Sequence, residues 1–128
     1  MTQNLPDLSR FELQCLRLVW DRGEASAREV HQALDLPPSY STVRTILTRL
    51  EEKGAVERVR LDGKAWVYRS AVDASAVQRR ELGRFMETLF GGRADHLVST
   101  LADMDAISMD DLRELERHLD DRSEEESS

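Results

Sequence analysis

Apolar residues in the first half of the chain recur with the period of a half-buried helix, and the period then changes to that of a strand. Phe11, Leu13, Leu16, Leu18, Val19 and Trp20 follow Ser9-Arg10-Phe11-Glu12. That tetrapeptide is a capping box, in which the serine side chain accepts from the backbone three residues on and the glutamate reaches back. The helix so predicted ends near Asp21-Arg22-Gly23, where glycine can take the left-handed conformation that closes a helix. A second capping box, Ser26-Ala27-Arg28-Glu29, opens a helix with Val30, Ala33 and Leu34 on its apolar side. Pro37-Pro38 is expected to stop it, because proline lacks a backbone donor and restricts the residue before it.

A third helix is predicted from Ser39 or Ser41 to Lys53, with Gly54 as its stop. Val43, Ile46, Leu47 and Leu50 repeat at the i, i+3, i+4, i+7 spacing of one buried face. The opposite side carries Ser41, Thr45, Thr48 and Glu52, flanked by Thr42, Arg44 and Arg49. Residues 56–61 and 65–69 are then rich in β-formers, and Asp62-Gly63 between them is a hairpin signal, since glycine supplies positive φ. From Asp73 onward the chain reads as helical again. Val77, Phe85, Met86, Leu89 and Phe90 line a helix ending at Gly91-Gly92. Leu97, Val98 and Leu101 mark a short one, and Ser108 caps a last one with the stripe Leu112, Leu115 and Leu119.

The fold class expected is mainly α (α+β): an N-terminal winged helix-turn-helix, three helices plus a β-hairpin wing, followed by a helical dimerisation segment. The corresponding boundaries are residues 1–71, residues 72–120, and a disordered acidic tail over 121–128. In the 128-residue chain no apolar run approaches the roughly 20 residues of a membrane-spanning helix. Residues 1–7 show no basic patch followed by an apolar stretch, so no signal peptide is expected. The single cysteine, Cys15, cannot form an intrachain disulfide. These features predict a cytoplasmic protein without direct membrane contact.

The net charge of −7 argues at first against a nucleic-acid partner. Its distribution changes that. Residues 1–70 carry 11 basic and 10 acidic side chains, whereas residues 71–128 carry 7 and 15. Within 39–69 there are 7 basic against 4 acidic residues. Binding to phosphates depends on the local field, because salt screens charges beyond about 8–10 Å.

Three helices and a hairpin give the polar face of the third helix a chemistry. The major groove, about 12 Å wide, admits one helix if its other side anchors it. Ser41, Thr42, Arg44, Thr45 and Thr48 would face base edges, with Arg44 able to bridge guanine O6 and N7. Arg49, Arg58, Arg60, Lys64 and Arg69 would lie along the backbone, giving affinity and register rather than readout. A merely solvated face would favour Glu and Lys; threonine is a poor helix former, and three of them forgo helix stability. Other chemistry is weakly signalled. Cys15 sits among leucines as a core residue, and His31, His96 and His118 lack metal-ligand spacing. No phosphate loop, GxSxG or HExxH motif occurs. Asp103, Asp105, Asp110 and Asp111 lack calcium-loop spacing, and Trp66 is expected as a pillar packing the hairpin on the helices. No enzyme, cofactor or metal is expected. Phe85, Leu89, Leu97, Leu101, Leu112 and Leu115 are expected at a homodimer interface, since short amphipathic helices bury little alone. A two-fold dimer would match a palindromic double-stranded DNA operator. The alternative is a winged-helix protein-interaction module without DNA binding, which the acidic net charge would suit.

The runs LQCLRLVWDRG, SAREVHQAL, YSTVRTILTRLEEKGAVERVRLDGKAWVYRS and LFGGRADHLVSTLADMDAISMDDLRELERHL together resemble the penicillinase repressor family, from about Leu8 to Leu119. The resemblance implies a homodimeric winged-helix repressor on a palindromic operator, with Thr42, Arg44 and Thr45 as groove residues. In the antibiotic-resistance members it implies a membrane-bound sensor metalloprotease that triggers cleavage of the repressor. The aligned bond here is Thr100-Leu101, where those members carry Asn-Phe. Copper-responsive members carry a cysteine-rich C-terminal site; no cysteine follows Cys15 here, which excludes that route.

Overall fold

Ser9 and Glu12 start the first helix as their spacing predicts. The Glu12 amide donates to Ser9 Oγ at 3.1 Å, and the Ser9 amide donates to Glu12 Oε1 at 2.8 Å. In this computed structural model, which describes residues 5–126, the elements follow in the order α1 (Arg10–Arg22), β1 (Glu24–Ser26), α2 (Ala27–Ala33), α3 (Tyr40–Glu52), β2 (Val56–Asp62), β3 (Ala65–Ser70), α4 (Ala74–Phe90), α5 (Ala94–Asp103) and α6 (Met109–Glu126). The same reciprocal box holds α2, between Ser26 and Glu29. Ser39 caps α3 by accepting from the Thr42 amide at 3.2 Å.

The chain forms two compact units, Met1–Arg80 and Glu81–Ser128. In the first, Cys15, Leu16 and Val19 of α1, Val30 of α2, and Val43, Leu47 and Leu50 of α3 are fully buried against one another. A three-stranded antiparallel sheet in the order β1-β3-β2 completes this unit, with Glu24 opposite Arg69 and Arg58 opposite Tyr68. A bulge interrupts the β2 register between Arg58 and Arg60, and Gly63 turns the hairpin at φ 65. Trp20 Nε1 donates to Ser70 Oγ at 2.9 Å, tying α1 to the end of β3. This is the winged helix-turn-helix expected from the sequence.

Five details differ from the expectations. The strand β1 was not foreseen: three residues give no detectable period, and pairing with β3 alone defines it. Helix α2 ends at Ala33, with Ala33 itself exposed, four residues before Pro37. Leu36, the residue Pro37 was expected to keep extended, instead takes a left-handed φ of 50. The division between units falls within α4, at Arg80, rather than at 71/72, because α4 is a continuous helix whose Val77 is buried in the first unit. The acidic tail expected to be disordered from 121 is helical through Glu126, where no glycine or proline stops α6 and glutamate has good helix propensity. Residues 127 and 128 of that tail lie outside the described residues.

In the second unit, Gly91 and Gly92 take φ 56 and 79 and end α4 as predicted. The Ser108 amide donates to Asp111 Oδ2 at 2.9 Å and the Asp111 amide to Ser108 Oγ at 3.1 Å, capping α6. Among the described residues of this unit none is fully buried.

Candidate nucleic-acid interface

The geometry of α3 is set by its buried face. Val43, Ile46, Leu47 and Leu50 anchor it to α1 and α2, and Ser41, Thr42, Arg44, Thr45, Thr48 and Arg49 are all exposed. Lys53, at the C-terminal end of α3, donates to Glu12 Oε1 at 2.8 Å and to the Asp7 carbonyl at 3.0 Å, fixing that end against α1. Burial by itself would raise the Glu12 pKa. The Lys53 ammonium and the Ser9 backbone and side-chain bonds outweigh it and hold the carboxyl below its ordinary range.

The hydroxyls on α3 are not free rotors. Thr45 Oγ1 donates to the Ser41 carbonyl and Thr48 Oγ1 to the Arg44 carbonyl, each at 3.0 Å. Thr42 Oγ1 lies 2.8 Å from the Ser39 hydroxyl in the N-cap. Ser41, Arg44, Thr45 and Thr48 line one shallow surface depression of about 300 Å³. Arg44 also lies with its guanidinium 6.0 Å from the Tyr40 ring centroid, which orients it without neutralising it.

Beside this face, a cleft of about 570 Å³ separates α3 and the start of α2 from the hairpin. Arg44 and Thr48 line it from one side, Arg58, Lys64 and Trp66 from the other. The predicted cations thus divide. Arg44, Arg49 and Lys64 enter no ion pair among the described residues. Arg58 is held by Glu51 at 3.1 Å and stacks 5.0 Å from the Trp66 ring centroid and 6.0 Å from that of Tyr68. Arg60 meets Glu24 and Arg69 meets Glu57, each at 2.5 Å. The hydrogen bond and charge of Glu24 raise the Arg60 pKa above its usual range. The helix face therefore presents bare positive charge, whereas much of the hairpin charge is already compensated.

Trp66 departs from the pillar expected of it. It opposes Leu61 near the hairpin tip, 39% exposed, while Leu61 is 55% exposed. Trp20, donating to Ser70, takes the role of tying helix to sheet. Three further residues of the cleft were missed by the sequence reading: Arg28, Tyr40 and Tyr68. Arg28 lies 5.9 Å from the Tyr40 centroid, and His31 packs edge-on against the same ring while its Nε2 lies 2.9 Å from the Pro38 carbonyl. Only an aromatic directly before the Ser-Thr run, with an arginine one helix earlier, signalled that cluster.

Cys15 is fully buried, and burial together with the Glu12 charge pushes its thiol up to about 11. Among the described residues no cluster of three potential metal ligands occurs, and no helix is long and apolar enough to cross a membrane. The residues expected at a dimer interface all fall in the second unit: Phe85, Leu89, Leu112 and Leu115 are exposed, Leu97 and Leu101 half-buried. The Thr100-Leu101 bond lies inside α5, with Thr100 Oγ1 donating to the His96 carbonyl at 2.9 Å.

The chain is similar to the methicillin resistance regulatory protein MecI of Staphylococcus aureus (strain N315), at 27% identity over 115 residues, which cover 88% of this chain and 93% of the relative. It is 25% identical over 121 residues to the penicillinase repressor of Bacillus licheniformis, covering 93% and 94% of the two chains. Among solved structures, the DNA-binding domain of the repressor BlaI matches with a TM-score of 0.50 and 28% identity, over 59% of this chain and 93% of that one. The H. salinarum protein RosR shares the fold, with a TM-score of 0.55 at 20% identity over 78% of this chain and 94% of that one. The penicillinase repressor profile matches residues 8–121. Of these, the Bacillus licheniformis relative and BlaI are named as repressors, and MecI as a resistance regulatory protein. On that match, which spans nearly the whole of the described sequence, the chain belongs to the penicillinase repressor family.

Proposed function

We propose that this protein is a homodimeric transcriptional repressor that occludes a palindromic operator, with α3 in the major groove and the β2–β3 wing along the backbone. The observation that carries the reading is the division of α3. Four aliphatic residues lock one side into the core, and Ser41, Thr42, Arg44, Thr45 and Thr48 project on the other beside unpaired cations. The similarity to a repressor's DNA-binding domain supports the same assignment. Arg44 reads base edges; Arg49 and Lys64 contact phosphates; Arg58 and Arg60 shape the wing and reach phosphate only by exchanging Glu51 and Glu24 for it.

The second unit supports pairing of two copies. Its described residues include none that is fully buried, although Leu82, Phe85, Leu89, Met104, Met109, Leu112, Leu115 and Leu119 all present apolar surface. Helices with no interior of their own need a partner to cover such a face, and a second copy supplies an identical one. Two α3 helices would then meet half-sites about 34 Å apart, or a multiple of that.

The test is a binding titration on a duplex selected from a random pool, at two salt concentrations, with a scrambled duplex as comparison. Arg44→Ala is expected to lose discrimination between the two by about 1–3 kcal/mol, the value of one bidentate contact. Unchanged preference in that variant, or binding insensitive to salt, would overturn the reading.

A further inference from the structure

We infer that Thr45 and Thr48 make this protein select A·T base pairs through the thymine 5-methyl group. The inference rests on the DNA-binding reading above and adds which base chemistry the centre of α3 recognises.

The argument starts from where the hydroxyl hydrogens go. Thr45 Oγ1 donates to the Ser41 carbonyl and Thr48 Oγ1 to the Arg44 carbonyl. A hydroxyl has one hydrogen and two acceptor lone pairs. With the hydrogen committed to the helix, each exposed threonine offers a partner one methyl group and an acceptor oxygen, but no donor. Guanine N7 and O6, thymine O4 and adenine N7 all need a donor, so none of them is satisfied at these two positions. What remains in the major groove is a donor amine, on adenine N6 or cytosine N4, and the thymine methyl. An A·T pair presents both a donor amine and a methyl; a G·C pair presents the amine alone. The methyl therefore decides between them.

The depression lined by Ser41, Arg44, Thr45 and Thr48 places a donor next to this donor-less pair: the Arg44 guanidinium, which enters no ion pair among the described residues. Residues three apart on a helix have Cβ atoms about 5–6 Å from each other. Successive base pairs rise about 3.4 Å, so two thymines, on either strand, are expected one to two steps apart. The guanine that suits Arg44 is expected beside them.

The experiment uses the full chain and a duplex obtained by selection from a random pool. Each thymine of the selected site is replaced in turn by deoxyuridine, which removes the methyl and leaves every hydrogen-bonding group in place. For the unaltered protein, affinity is expected to fall about fourfold at one or two clustered positions, the transfer free energy of one buried methyl-sized group. The Thr45→Ser and Thr48→Ser variants keep the hydroxyl and lose the methyl, and are expected to bind thymine and deoxyuridine duplexes equally at the matching position. Thr45→Val keeps a methyl and is expected to retain the difference. Equal affinity of the unaltered protein for thymine and deoxyuridine at every position would overturn the inference while leaving DNA binding intact. So would a selection that yields no preferred sequence, or a serine double variant that still distinguishes the two duplexes. Failure to retain any duplex would instead sink the repressor reading on which the inference stands.

Discussion

Lys53 Nζ lies 2.8 Å from Glu12 Oε1, so the C-terminal end of the exposed helix is pinned to the first turn of the first helix. Glu12 is 3% exposed, and its other oxygen, Oε2, is buried without a protein partner. One carboxyl oxygen therefore accepts from two donors at once, the Ser9 amide that closes the helix start and Lys53.

Its net pKa is lowered from the ordinary 4.5 by Lys53 and Ser9, which outweigh the opposing effect of burial. A carboxyl lowered on folding stabilises the native state above its unfolded value, and that contribution is lost as pH falls through the lower folded value. Glu12→Gln is expected to cost about 1.5–3 kcal/mol at pH 7, the range for hydrogen bonds to a charged group. The gap to the unaltered protein should narrow toward pH 3, as its own carboxylate becomes protonated. Urea unfolding midpoints of both proteins at the two pH values check this; an equal gap at pH 7 and pH 3 would contradict it.

The uneven pairing of cations predicts uneven salt effects. Lys64 enters no ion pair among the described residues, whereas Arg60 sits 2.5 Å from Glu24. Lys64→Ala is expected to reduce the slope of log affinity against log salt by about 0.9, the value of one phosphate contact. It should do so equally on selected and scrambled duplexes, since a phosphate contact carries no sequence information. Arg60→Ala should change the slope less, because Glu24 already neutralises that guanidinium. Titrations over a series of salt concentrations separate the two.

How far the sequence announced this arrangement differs between its parts. Both capping boxes, the α3 stripe Val43, Ile46, Leu47, Leu50 and the Asp62-Gly63 turn were legible, because each is decided by residues within about one or two turns of chain. What was not legible depends on contacts distant in sequence. Strand β1 exists only through β3, more than 40 positions away in the register Ala25 to Tyr68. The pairing of Arg58 with Glu51 and of Arg60 with Glu24 likewise needs the fold before it can be seen. Trp66 reads as a core residue by composition, yet near the hairpin tip, paired with the exposed Leu61 and stacked by Arg58, it stays 39% exposed.

Leu36 is the plainest case of a local rule overridden. It is 98% exposed at φ 50, directly before Pro37, a conformation that β-carbon sterics disfavour. With almost no apolar burial to lose, Leu36→Asn is expected to raise stability by up to about 1 kcal/mol, since asparagine tolerates the left-handed region. Thermal unfolding with unchanged duplex affinity would bear this out. A clear loss of stability would show that the side chain is held by contacts its exposure does not reveal.

Cys15 offers a test of the core itself. It is completely buried, and its thiol is pushed up to about 11 by burial and by the Glu12 charge. The thiolate is the reactive form, so a disulfide reagent at pH 8 is expected to leave the native protein unmodified. Reaction should become complete once urea unfolds the first unit. Rapid modification in native buffer would mean that α1 opens far more readily than its packing against Val43, Leu47 and Leu50 implies.

The pairing of two copies stands on the second unit, and it can fail there without touching the first. Leu115 is 45% exposed and Leu112 36% exposed on α6, while Phe85 and Leu89 are 46% and 62% exposed on α4. An aspartate at Leu115 would leave a lone chain nearly unperturbed, because the position is already wet. In a paired interface it would place two charges in an apolar contact, at several kcal/mol. Leu115→Asp is therefore expected to shift the sedimentation profile from dimer to monomer at micromolar concentration while helical content in the first unit is kept. Operator affinity should fall with it, and half-site affinity should not, since each winged helix retains its own α3. A monomer in the unaltered protein, or a variant that stays dimeric, would remove the second copy from the account and leave a single winged helix to do the binding.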